Sequence, residues 1–154
     1  MELWELEARE EIRHTIATYS HSGDRMFIEE LAATFTEDGV LEVKGLEPAV
    51  GRAAIVAFLG LGRESSAEPK GEVAEALAHP RGYVRHNVTN IRFDSLTRDE
   101  ARVSSYFFVV TPIGPDHWGR YRDRLVPVDG RWLFAHRLVA VDGHAEASTF
   151  PRFR

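Results

Sequence analysis

The sequence predicts an α+β fold, with helices packed on one face of a curved, mostly antiparallel sheet. Helical spacing of apolar residues is concentrated in residues 3–60, with a further short helix possible around Glu72–Ala78. Four segments rich in β-branched and aromatic residues follow, between residues 83 and 141. Short turn sequences join them, which forces neighbouring strands to run antiparallel.

The first helix is expected over 3–22, with Leu3, Leu6, Ile12, Ile16 and Tyr19 on its apolar face. Gly23 in Ser22-Gly23-Asp24 is expected to stop it, because glycine tolerates the left-handed backbone of a helix end. A second helix is expected at 25–36, burying Phe27, Ile28, Leu31, Ala32 and Phe35. Val40–Val43 reads as a short strand and 51–60 as a third helix with Ala54, Ile55, Phe58 and Leu59 inward. Residues 61–82 carry Gly62, Pro69, Gly71 and Pro80, and suit either a lid or a plain surface excursion.

The four strands are expected at 83–94, 101–112, 117–127 and 131–141. Asp129-Gly130 between the last two is a strong hairpin signal. Alternation along the last strand puts Arg131, Leu133, Ala135, Arg137, Val139 and Val141 on one face. Trp132, Phe134, His136, Leu138 and Ala140 take the other. Both faces are mainly apolar, so both should be covered: one by the helices, the other by a second copy in a homo-oligomer, dimer or trimer.

The bulk numbers narrow the classes. A chain of 154 residues, 44% hydrophobic and 28% charged, fits one globular domain over 1–154. A net charge of −5 offers no basic footprint for nucleic acid. Arg120, Arg122 and Arg124 alternate with Tyr121 and Asp123, which reads as one strand face. There is no cysteine, so disulfides and thiolate chemistry are excluded. The start is charged and lacks a signal-peptide apolar run, and no apolar run is long enough to span a bilayer, so a cytoplasmic protein without membrane contact is expected. The seven histidines are dispersed, with no His-x-His or His-Glu-x-x-His pattern. Phosphate-binding glycine loops and nucleophile elbows are also lacking. No metal or other cofactor is expected.

Four polar residues are candidates for chemistry: Tyr19, Asp24, His86 and Arg137. Arg137 lies between Ala135 and Val139 on a strand read as buried. A buried guanidinium needs a partner, either an anion or a structural acid such as Asp24 or Asp123. His86 shares a strand face with Val88. An imidazole takes and returns protons near neutrality, and a carboxylate on one ring nitrogen fixes its tautomer. Asp24 is the natural candidate for that carboxylate. Core packing is the alternative role for His86 and for Tyr19.

The order and wording of the segments resemble the SnoaL-like family of the nuclear transport factor two-like superfamily, over residues 5–142. The residues carrying the resemblance are Tyr19-Ser-His-Ser-Gly-Asp24, Leu31-Ala-Ala-Thr-Phe-Thr-Glu-Asp38, Gly51-Arg-Ala-Ala-Ile, Arg85-His86-Asn-Val-Thr-Asn, Gly119-Arg-Tyr-Arg-Asp123 and Asp129-Gly-Arg-Trp-Leu-Phe-Ala-His-Arg137. The resemblance implies a cone-shaped roll enclosing a pocket between helices and sheet. Into that pocket Asp24, His86 and Arg137 should project, with Phe107, Val109 and Tyr121 as its lining. Tyr19, Asp24 and His86 match the bile-acid dehydratase pattern. Asp24, His86 and Arg137 match that of hexachlorocyclohexane dehydrochlorinase, which has a lysine where Tyr19 stands. Scytalone dehydratase shares the aspartate and this histidine. It has a tyrosine where Gly23 stands, and a second histidine that would fall near Ile113, where this chain has none.

The resemblance implies a cofactor-independent lyase, of dehydratase or dehydrohalogenase type, acting on a small apolar cyclic or polycyclic substrate. His86 would be the general base, Asp24 would orient it, and Tyr19 or Arg137 would stabilise the developing charge. An isomerase and a non-catalytic binding or assembly subunit are the alternatives.

Overall fold

The computed structural model describes residues 1–60, 82–148 and 150. The 61–82 segment lies, except for its last residue, outside the described residues.

The chain opens with helix α1, Leu3–Asp24, then a single-turn helix α2, Ile28–Ala32. Strand β1, Phe35–Val43, leads through a two-residue strand β2, Ala49–Val50, into α3, Arg52–Gly60. Four long strands follow: β3 (Arg85–Leu96), β4 (Ala101–Thr111), β5 (Gly114–Val128) and β6 (Arg131–His144). The six strands form one sheet in the order β2-β1-β6-β5-β4-β3. Every pairing is antiparallel except that of β1 with β6, which the helical excursion between them makes parallel. This is the expected α+β architecture.

The ridge that α1 lays on the sheet is Ala8, Ile12, Ile16 and Tyr19, with Trp4 packed at its start. Leu3 and Leu6 point away from that ridge and are exposed, so the apolar face begins at Trp4 and Ala8 rather than at Leu3. The Thr15 hydroxyl donates to the Trp132 carbonyl at 2.6 Å and ties the helix to β6. Gly23 does not stop α1. The helix runs on to Asp24, and Met26 takes the left-handed conformation at φ 59°. That detour also shortens α2. The expected helix over 25–36 is one turn only, Phe27 is exposed, and Phe35 already belongs to β1, fully buried in the core. The β-branched and aromatic run Thr34-Phe35-Thr36 favours the strand.

Asp129 and Gly130 both have positive φ, at 49° and 78°, which is the primed turn that matches strand twist. Five residues past Gly130 the simple alternation of β6 fails. Arg124 pairs with His136 but Leu125 pairs with Phe134, so Ala135 is an extra, bulged residue. The bulge returns Trp132 and Phe134 to the face of Arg137 and Val139, where they join the core under the helices. On the outer sheet face Tyr106, Phe108 and Trp118 are exposed. Among the described residues no helix is long and apolar enough to cross a membrane.

Candidate active site

A cavity of about 390 Å³ opens between the helices and the concave sheet face. Tyr19 and Asp24 enter it from the end of α1, His86 and Phe107 from β3 and β4, and His117 and Tyr121 from β5. Most of the remaining wall is aliphatic or aromatic, with Ile28, Leu31 and Leu41 among it.

Asp24 and His86 meet. The His86 ring Nδ1 lies 2.6 Å from Asp24 Oδ1. The backbone N–H of His86 also donates to the same carboxylate, at 3.2 and 3.0 Å to its two oxygens. A carboxylate at a helix C-terminus faces the negative end of the helix dipole, so these donors offset an otherwise unfavourable placement. With Nδ1–H given to Asp24, Nε2 carries the lone pair. The pair joins the end of α1 to the start of β3, across 62 residues of sequence.

Tyr19 lines the same cavity, in edge-on contact with Tyr121 at 6.3 Å between ring centroids. Burial holds its phenol above the ordinary tyrosine range, against the lowering pull of the Arg137 cation. It is therefore a neutral hydroxyl at physiological pH.

Arg137 does not project into the cavity, contrary to expectation. It is fully buried and forms a two-pronged ion pair with Asp123, Nε to Oδ1 and Nη2 to Oδ2, both at 2.8 Å. The two residues are direct cross-strand partners on β5 and β6. Three rings close over the guanidinium: Tyr19 at 4.3 Å, Tyr121 at 4.1 Å and Phe134 at 4.1 Å from its carbon. The Ala135 bulge sets this arrangement, because it brings Phe134 onto Arg137's face. The arginine is thus a cation behind the aromatic wall, and breaking so buried a pair costs about 3–5 kcal/mol.

Phe107 and Tyr121 line the cavity as expected, stacked at 4.5 Å between centroids. Val109 does not. It is fully buried, and its cross-strand neighbours on the two sides are His86 and His117, whose rings flank it.

His117 is the residue that sequence reasoning missed. The resemblance places a second imidazole only near Ile113, four residues earlier. His117 lies in the cavity wall, with its ring 6.4 Å from that of His86 and nearly perpendicular to it. Its Nδ1 lies 2.8 Å from Asp116 Oδ1, making a second carboxylate–imidazole pair. Adjacent strand residues normally face opposite ways. Here Val109 pairs with His117 and Val110 with Pro115, so Asp116 is a bulged extra residue and both side chains turn inward. Asp116 also accepts from Thr111 at 3.0 Å and from Ser148 at 2.6 Å. Burial opposes its ionisation, but the donors from Ser148, His117 and Thr111 prevail and hold the carboxyl below its ordinary range. Burial depresses His117, against the raising effect of Asp116. Among the described residues no cluster of three or more acidic or histidine side chains is arranged to hold a metal ion.

A profile of the SnoaL-like domain matches residues 4–138. No curated protein matches the chain. A solved structure from Catenulispora acidiphila is 30% identical with a TM-score of 0.72, over 92% of this chain and 96% of that one. Another from the same organism, in complex with S-DNPA, is 31% identical with a TM-score of 0.68, over 87% and 92%. A Novosphingobium aromaticivorans protein proposed to be a scytalone dehydratase is 27% identical with a TM-score of 0.67, over 99% and 97%. A further protein from that genus, 26% identical with a TM-score of 0.72 over 95% and 89%, is described as nuclear transport factor two-like with a cystatin-like fold. The order of helices, sheet and enclosed cavity found here is that fold, and this chain belongs to the SnoaL-like family.

Proposed function

We propose that this protein is a cofactor-independent lyase, of dehydratase or dehydrohalogenase type, acting on a small, largely apolar cyclic or polycyclic substrate. The observation that carries the reading is the 2.6 Å contact between Asp24 and His86 at the edge of an apolar cavity. His86 Nε2 takes a proton from a carbon acidified by a neighbouring carbonyl. The C–H electron pair first forms the enolate, whose oxygen is the oxyanion. It then becomes the new double bond as the leaving group departs, as halide or, with the proton returned from the His86 imidazolium, as water. Asp24 and the negative end of α1 then face the imidazolium. The neutral Tyr19 hydroxyl donates to the oxyanion. Arg137, behind the ring of Tyr19, biases the phenol toward that donation without touching the ligand. General base catalysis of this kind supplies about 10²–10⁴-fold, and oriented donors a comparable factor. The likeness to a proposed scytalone dehydratase supports the reaction class.

The test needs no knowledge of the natural substrate. 2-Tetralone is a fused-ring ketone of suitable size with acidified C–H bonds. In D₂O the protein is expected to exchange those hydrogens for deuterium well above the buffer rate, as followed by proton NMR. Exchange at the buffer rate for 2-tetralone and a panel of related cyclic ketones would contradict the reading. An isomerase would also exchange the label, and product analysis on a turned-over substrate separates it from a lyase.

A further inference from the structure

We propose that His117 is the residue of this cavity that reads a hydroxyl on the ligand, and that Ser148 is its positioning residue, acting through Asp116. The inference rests on the cavity being the ligand site, and it narrows the substrate class to rings bearing an O–H.

Asp116 holds three donors: the His117 ring, Thr111 and Ser148. A carboxylate so surrounded stays ionised and fixes the His117 proton on Nδ1. Nε2 is left as an acceptor, and it makes no hydrogen bond to any described residue. His117 is only 5% exposed, so a protonated imidazole there is disfavoured and the neutral acceptor form prevails. Phe150 stacks on the ring at 3.8 Å and holds its plane. An acceptor buried in an apolar wall rejects a ligand that leaves it unpaired and selects one that brings a donor. A halogen brings none, whereas a hydroxyl does. The site is therefore matched to hydroxylated rings, the substrates of dehydration rather than of dehydrohalogenation.

Ser148 lies beyond the last strand. Its hydroxyl binds Asp116 Oδ1, the same oxygen that faces His117 Nδ1. The Ala145 N–H also donates to the Asp116 carbonyl at 2.7 Å, so the C-terminal segment is tied to the bulge at two points. Ser148 touches no ligand in this scheme, and its effect is on the orientation and tautomer of His117.

The experiment is a matched pair of probes, 2-naphthol and 2-fluoronaphthalene, alike in shape and differing in the donor. Equilibrium binding to the full chain is expected to favour 2-naphthol by about tenfold, the worth of one buried hydrogen bond. His117→Phe should erase the preference while still binding 2-fluoronaphthalene. Ser148→Ala should narrow it, and ¹⁵N NMR of His117 should show the Nδ1–H tautomer in the wild type and a mixture in this variant. Should His117→Phe not fold, the Ser148→Ala comparison carries the test alone. Equal affinities in the wild type, failure of both probes to bind, or a tautomer unchanged in Ser148→Ala would each overturn the proposal. Binding is independent of proton removal, so a chain that prefers 2-naphthol but exchanges no carbon-bound hydrogen would sink the lyase reading and leave this inference standing.

Discussion

The cavity holds two carboxylate–imidazole pairs that look alike and are built differently. Asp24 and His86 come from elements 62 residues apart, and the His86 side chain is 26% exposed at the cavity edge. Asp116 and His117 are chain neighbours, brought to one face by a bulge, and the His117 side chain is 6% exposed. Among the described residues Asp24 accepts only from His86, through its ring and its backbone N–H. Asp116 is held by three different residues. The first pair is thus open to the cavity with few ties, and the second is held in place by its neighbours. On the proposed roles, the same chemical unit would serve as a base in one setting and as a rigid acceptor in the other, because burial and the number of donors differ.

Asp24→Asn is the sharpest way to break the comparison. The amide cannot stabilise an imidazolium, and it allows the wrong tautomer of His86. Exchange of 2-tetralone hydrogens should fall by about 10²-fold or more, with a melting temperature close to that of the wild type. Asp116→Asn should act in the opposite sense. It disturbs a buried network, so it should cost about 1–3 kcal/mol of stability, read as a lower denaturation midpoint in urea. A variant pair with these two effects exchanged would contradict the division of roles.

A smaller effect is expected in the pH dependence of stability. Burial depresses His117 in the folded chain, so the unfolded chain binds its proton more readily. The associated stability is complete above the ordinary histidine pKa of about 6.5 and is lost as pH falls through the lower folded value. The groups facing the ring are Asp116, which opposes the shift, and the imidazoles of His86 and His144, which add to it. Stability against urea should therefore fall as pH drops below about 6.5, and His117→Phe should flatten that fall. Asp116 and Asp94, both held below their ordinary range, contribute at lower pH.

Much of this was legible in the sequence. Asp24 and His86 could be paired because an imidazole calls for a carboxylate to fix its tautomer, and the resemblance puts an aspartate and a strand histidine at these two positions. The hairpin at Asp129-Gly130 could be read because only certain residues accept positive φ. Arg137 was legible as needing a partner, and Asp123 was among those named. Its place behind the wall was not legible, because the Ala135 bulge shifts the register of β6 by one and no residue type announces that bulge. His117 was hidden for the same reason. Strict alternation puts Asp116 and His117 on opposite faces, and only the pairing of β4 with β5 reveals that they share one. The short α2 was missed because Met26, just before it, takes a left-handed conformation that periodicity does not register, and because Phe35 already belongs to β1.

The central claim is that His86 removes a proton from carbon. Deuterium exchange of 2-tetralone by His86→Ala, read beside its melting temperature, tests it most directly. The expected result is exchange reduced to the buffer rate in a variant that melts within a few degrees of the wild type, since His86 lies at the edge of the cavity and not within the core. Exchange retained by a variant that has lost much of its stability would make His86 a packing residue and contradict the account.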